Sequence, residues 1–246
     1  MTDGWLAPQP VRRVQEHDQH GYDRRQWPAT LPAVRQLLDH GLDLGRLTIL
    51  VGENGAGKST VLEAVAMAFG LSAEGGSTGA RHSTRASESD LWRSLQLVRG
   101  AGGSRWGYFV RAETMHGLFS YLEQHPASPR SPDPEFHGMS HGESFRAMLN
   151  SERFLRGGFF VLDEPEAGLS FESQLALVGQ LAELTAEPQS QVLMATHSPI
   201  LTAVPGADLW QLDGDGLSRT SWADLSVVDH YRRFLDRPEA YLRHVL

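Results

Sequence analysis

The chain has 246 residues, 40% hydrophobic and 21% charged, with a net charge of −8. That length suits one large domain or two small ones, and the charge counts against a generally basic surface for nucleic acid. With a Cys count of 0, disulfides and thiolate metal sites are excluded. No apolar run approaches the roughly 20 residues that span a bilayer, and the polar opening stretch lacks a signal-peptide core. The expectation is a cytoplasmic protein with no direct membrane insertion.

Residues 1–30 are polar and interrupted by Pro8, Pro10 and Pro28. They predict an irregular segment with an edge strand near Val11 to Val14. Leu31, Val34, Leu37 and Leu38 recur at helical spacing and stop before Gly41, which predicts a short helix. The apolar run Leu47-Thr48-Ile49-Leu50-Val51 predicts a buried strand. It leads directly into Gly52-Glu53-Asn54-Gly55-Ala56-Gly57-Lys58-Ser59-Thr60, after which Val61, Leu62, Val65, Ala66 and Phe69 mark the inner face of a helix over Lys58 to Phe69.

Strand, glycine-rich loop and Lys-Ser at a helix start form a P-loop. Its amide groups and the positive helix end can surround phosphate. The Lys58 ammonium can reach the outer phosphates, and the Ser59 hydroxyl can hold Mg²⁺. Gly52, Gly55 and Gly57 let the backbone wrap closely. The bound group expected here is a nucleoside triphosphate with Mg²⁺.

Gly70 to Ser87 is rich in Gly, Ser and Thr and reads as a loop. Leu91 to Val98 and Trp106 to Arg111, separated by Gly100, Gly102 and Gly103, predict a hairpin. Glu113 to Gln124 reads as helix. His125 to His137, with Pro126, Pro129, Pro132 and Pro134, reads as a surface loop. Gly142 to Leu155 reads as one further helix.

Phe159-Phe160-Val161-Leu162 is apolar throughout and predicts a central strand covered on both faces. It ends in Asp163-Glu164. An aspartate there suits Mg²⁺ beside a P-loop, and the next carboxylate can orient or deprotonate an attacking water; alone, Asp163 reads equally well as a turn residue. Ser170 to Glu187 predicts a helix, and Gln191 to Ala195 a second buried strand ending in Thr196-His197. His197 there can meet the γ-phosphate or serve as a cap before Pro199. Asp208 to Leu212 and Gly216 to Thr220 predict a hairpin, and Leu225 to Leu246 a helix interrupted at Pro238. Alternating strands and helices imply a mostly parallel sheet with helices on both faces, whose ligands sit at the carboxyl ends of the strands.

Gly52 to Ser59, Phe159 to Glu164, Glu166-Ala167-Gly168-Leu169-Ser170 and Thr196-His197 follow one another as the Walker A, Walker B, D-loop and H-switch motifs do in ABC-type ATPases, and the chain resembles that family. Met139-Ser140-His141-Gly142-Glu143-Ser144 resembles its signature motif, with His141 in place of a glycine and Glu143 in place of the usual glutamine. Strand residues Trp106 to Arg111 resemble the lead into the Q-loop, yet no glutamine follows, so Arg111 or Glu113 has to serve. Tyr22 and Trp27 are candidates to stack on adenine, although core packing is the expectation for both.

The resemblance implies an ABC-ATPase-like fold: a P-loop NTPase three-layer α/β sandwich, mostly parallel with an antiparallel edge. It implies a single ABC-type ATPase domain over 1–246, with a motif-bearing core at 44–212, a reduced helical and signature region at 70–140 and C-terminal helices at 213–246. The C-terminal stretch, Thr196-His197-Ser198-Pro199-Ile200-Leu201 followed by a short hairpin and Tyr241-Leu242-Arg243-His244, resembles stand-alone bacterial ATPases of the AAA/SMC-like group, here without a coiled coil because no heptad run exists. The cofactors implied are ATP and Mg²⁺. Gly52, Glu53, Asn54, Gly55, Ala56, Gly57, Lys58, Ser59 and Thr60 would hold the nucleotide, and Ser140, Gly142 and Glu143 would do so across a head-to-tail homodimer. Ser59 and Asp163 would hold the metal, with Glu164 and His197 catalytic.

Three roles compete for such an ATP hydrolase. The leading one is a soluble switch, driven by ATP-dependent homodimerisation, on a nucleic-acid or protein client, acting on nucleic acid or in genome defence. The alternatives are the ATPase subunit of a membrane transporter, and a regulatory module with little turnover.

Overall fold

The computed structural model describes residues 9–78, 89–124, 134–139, 141–243 and 245. In chain order the elements are β1 (Arg13–Glu16), α1 (Pro32–His40), β2 (Leu42–Asp43), β3 (Leu47–Gly52), α2 (Lys58–Phe69), β4 (Gly76–Ser77), β5 (Leu95–Val98), β6 (Gly107–Arg111), α3 (Met115–Gln124), α4 (His141–Leu149), α5 (Glu152–Leu155), β7 (Gly158–Asp163), α6 (Phe171–Ala186), β8 (Ser190–Thr196), β9 (Asp208–Asp213), β10 (Gly216–Thr220), α7 (Ser226–Asp236) and α8 (Pro238–Leu242).

The main sheet runs β10-β9-β3-β8-β7-β6-β4. The five inner strands are parallel, and β10 and β4 close the two edges antiparallel. Because the inner strands are covered on both faces, they read as continuous apolar runs. Their side chains alternate between two cores. Leu50, Phe159, Val161, Leu193 and Ala195 pack with α1 and α2 on one face. Ile49, Val51, Phe160, Leu162, Val192 and Met194 pack with α3 to α6 on the other. The result is a three-layer sandwich of the P-loop NTPase type, as the resemblance implied.

Parallel pairing puts the carboxyl ends of the inner strands on one rim. Val51 is in register with Thr196, and Asp163 with both Ala195 and Arg111. The glycine loop, the Asp163-Glu164 pair and His197 therefore share an edge because of topology, not of proximity in the chain.

Several expectations change. The predicted hairpin between Leu91 to Val98 and Trp106 to Arg111 does not form. Asp90–Ser94 is a 3₁₀ turn capped by the Ser89 hydroxyl. β5 joins β1 in a separate sheet of order β2-β1-β5, while β6 lies parallel to β7. β6 is buried along Gly107 to Val110, and an apolar strand of that kind belongs inside a sheet rather than in an exposed hairpin. The strand expected near Val11 to Val14 is Arg13–Glu16 and lies between two neighbours, so it is not an edge. The helix expected over Gly142 to Leu155 breaks at Asn150-Ser151 into α4 and α5. In the loop expected over Gly70 to Ser87, Gly76–Ser77 pairs with β6, and residues 79–88 lie outside the described residues. Of the loop expected at His125 to His137, residues 125–133 also lie outside them, and Phe136 is buried against Phe119.

Candidate active site

The site begins with β3. Gly52 needs its missing side chain, since a Cβ would sit 2.3 Å from the Leu212 carbonyl oxygen of β9. Gly57 takes a φ of 97° at the start of α2, a left-handed conformation that glycine adopts without strain. The N–H groups of Lys58, Ser59 and Thr60 open the helix and have no intrahelical acceptor, so they face the loop's interior together with the helix dipole. Lys58 is only 4% exposed. Its ammonium donates to the carbonyl oxygens of Gly52 and Glu53 at 2.9 and 3.0 Å. Burial lowers its pKa, against the opposing pull of Glu164, Asp163 and Glu166.

Ser59 lies on the first turn of α2, and its hydroxyl donates to Asp163 Oδ1 at 3.0 Å. Asp163 is 6% exposed, and burial raises its pKa despite the Ser59 hydrogen bond and the charge of Arg111. A buried carboxylate beside a hydroxyl offers a pair of hard oxygen donors, which fits Mg²⁺. No cluster of three or more metal-ligating side chains occurs among the described residues.

Glu164 follows with a φ of 51°, a left-handed conformation that costs a non-glycine residue about 1 kcal/mol or more and clusters at functional sites. Its N–H donates to the Ala195 carbonyl at 2.9 Å and its own carbonyl accepts from Ala167. The turn carries the Glu164 carboxylate to His197, where Oε1 and Nε2 stand 2.9 Å apart. Glu166 Oε1 accepts from the His197 backbone N–H at 2.6 Å. The D-loop was legible as a motif, but this contact was not.

A cleft of about 270 Å³ lies over the loop, lined by Trp27, Leu31, Asn54, Gly55, Gly57, Lys58, Ser59, Thr60 and Glu164. Trp27 is 57% exposed, so the expectation that it packs in the core fails; it forms a wall of the cleft instead. Tyr22 does pack against the core, and its hydroxyl donates to the Trp27 carbonyl at 2.8 Å. Of the two Q-loop candidates, Glu113 is exposed, while Arg111 reaches Asp163 and Glu63.

Lys58, Ser59, Asp163, Glu164 and His197 thus come together. Gly142 and Glu143 do not line that cleft; Gly142 packs against Ser173 and Leu169, and Glu143 lines a separate surface hollow with Met139 and Arg146. Ser140 lies outside the described residues.

A family model described as ABC transporter matches residues 36–167, more than half of the chain. An AAA-domain model associated with type IV toxin–antitoxin systems matches residues 139–203. The zinc import ATP-binding protein ZnuC of Halorhodospira halophila is 29% identical over 198 residues, covering 76% of this chain and 70% of that protein. The protein of the same name from Vibrio cholerae is 29% identical over 168 residues, covering 66% of this chain and 62% of its own length. Among solved structures, cbiO1 of Clostridium perfringens, part of the ABC transporter complex cbiONQ, superposes with a TM-score of 0.52 over 97% of this chain and 100% of that one. At 13% identity that likeness speaks for the fold alone.

Proposed function

The chain belongs to the ABC transporter family of ATPases, and we propose that it is the ATP-hydrolysing subunit of a membrane transporter, working as a pair of copies. Family membership makes it an ATP hydrolase that uses ATP and Mg²⁺. The observation that carries the residue assignment is the convergence of Lys58, Ser59, Asp163, Glu164 and His197 on one rim of the sheet. In this reading the chain works as one ABC-type domain.

The loop amides and Lys58 hold the phosphates. Ser59 and Asp163 hold Mg²⁺, which supplies charge stabilisation at the transferred phosphoryl group. Glu164 polarises the attacking water, His197 holds Glu164 in place and meets the γ-phosphate, and Trp27 stacks on adenine. Gly142 and Glu143, which do not line the chain's own cleft, serve the second copy's nucleotide together with Ser140 in a head-to-tail pair. Because charged phosphate is enclosed between two surfaces, association follows ATP binding, and hydrolysis releases it.

The transporter reading displaces the nucleic-acid client that led the sequence analysis. The family model and both zinc-import relatives favour it, and the net charge of −8 counts against a generally basic surface for a phosphate backbone. No helix of the described residues is long and apolar enough to cross a membrane; in this reading the partner that spans the bilayer is a separate chain. The AAA-domain match over 139–203 favours a stand-alone switch as the second reading. Affinity purification of the Glu164→Gln chain from detergent-solubilised membranes separates the two. Recovery of a stoichiometric multi-span membrane protein supports the transporter subunit, whereas recovery only from the soluble fraction overturns it.

A further inference from the structure

Arg111 closes β6 beside Asp163, and its side chain is about one-fifth exposed. One of its nitrogens, Nη1, donates to Glu63 Oε2 at 2.8 Å and to the Ala73 carbonyl at 3.1 Å. Another, Nε, stands 3.6 Å from Asp163 Oδ2. That is an ion contact beyond hydrogen-bond range. The Nε atom is buried and has no hydrogen-bond partner among the described residues, an arrangement that is penalised. One guanidinium is therefore shared unevenly between two acids. Glu63 holds it tightly, and Asp163 stands at the distance a small rotation would close. Glu63 is placed for this because it lies one helical turn beyond Ser59 on α2 and so shares its face.

We propose that Arg111 is a positioning residue and resident counter-charge for Asp163, and that its pairing with Glu63 sets how strongly the Ser59–Asp163 pair takes Mg²⁺. The inference rests on the reading of Ser59 and Asp163 as the metal-holding pair. Without a metal, the guanidinium offsets the charge of a buried carboxylate whose side chain accepts one hydrogen bond among the described residues, from Ser59. With a metal, that same positive charge is repelled and Glu63 is what draws it aside. Removing Arg111 should then strengthen metal binding, and removing Glu63 should weaken it. A residue that merely props up the fold would shift both in one direction, or would weaken nucleotide binding even at saturating metal.

The test is an Mg²⁺ titration of the binding of a fluorescent, non-hydrolysable ATP analogue to the full chain. Relative to the unaltered chain, Arg111→Gln lowers the half-saturating Mg²⁺ concentration roughly tenfold and Glu63→Gln raises it roughly tenfold. The double variant returns to within about threefold of the unaltered chain. Opposite shifts support the proposal; an unmoved midpoint in either single variant, or shifts of the same sign, overturns it. Should Arg111→Gln fail to fold, Glu63→Gln leaves the arginine in place and decides the matter alone. Ser59→Ala and Asp163→Asn serve as the control on the underlying reading. If they leave the Mg²⁺ dependence unchanged, the metal assignment itself fails; if they abolish it while the Arg111 and Glu63 midpoints stay put, only the counter-charge proposal fails.

Discussion

His197 is held to the Walker B turn from two sides. Its Nε2 stands 2.9 Å from Glu164 Oε1, and its backbone N–H donates to Glu166 Oε1. The ring's position is thus fixed by the same turn that presents the water-polarising carboxylate.

Glu164→Gln keeps the size and shape of the side chain but removes its basicity. Turnover should fall about a hundredfold or more, while ATP binding persists and the protein elutes as a dimer in gel filtration with Mg-ATP. His197→Ala should lower turnover to a smaller extent, about tenfold to a hundredfold, with nucleotide affinity nearly unchanged. Unchanged phosphate release in both variants would remove this pair from the mechanism.

Trp27 walls the cleft. If it stacks on the base, Trp27→Ala loses about 0.5–1.5 kcal/mol, which is a roughly two- to thirteenfold weaker ATP affinity in equilibrium binding. Inorganic tripolyphosphate, which has no base, should bind both forms equally. Equal losses for both ligands would mean that Trp27 shapes the loop instead.

Gly52→Ala places a methyl group against a backbone carbonyl that cannot move without shifting β9. The expected loss is about 1–3 kcal/mol, read as a fall in Tm of roughly 2–4 °C per kcal/mol for a chain of this length. Gly214→Ala, with open space around its Cβ position, is the matched control and should leave Tm nearly unchanged.

Asp163 carries a pKa raised by burial. Above its folded pKa the ionised form is penalised in the folded state, and below its unfolded value the penalty vanishes. Metal-free Asp163→Asn protein should therefore melt a few degrees higher than the unaltered chain at about pH 8, by roughly 2–4 °C per kcal/mol recovered. The advantage should shrink as pH falls toward the ordinary Asp value of 3.8. A constant or growing advantage at low pH would show that ionisation of Asp163 is not the source.

Much of the site was legible because its chemistry is local. The P-loop is one continuous segment, and Asp163-Glu164 and Thr196-His197 each end a strand that reads as apolar on its own. Parallel topology then does the rest. What could not be read depends on distant partners. β5 pairs with β1 across some eighty positions, so a glycine-rich gap next to β6 suggested a hairpin that tertiary pairing overrides. The role of Arg111 required knowing that Glu63 and Asp163 flank it, which needs α2 and β7 docked on β6. Trp27 sits in a polar, proline-punctuated stretch with no periodicity, so no pattern distinguishes a cleft wall from a core residue.

The most direct measurement is phosphate release from ATP by the purified chain, with Mg²⁺ and with a chelator, alongside Lys58→Ala and Glu164→Gln and with equilibrium ATP binding measured on the same samples. The account predicts Mg²⁺-dependent release by the unaltered chain, loss of both binding and release in Lys58→Ala, and retained binding without release in Glu164→Gln. Release that is indifferent to Mg²⁺, or that survives in both variants, would contradict it.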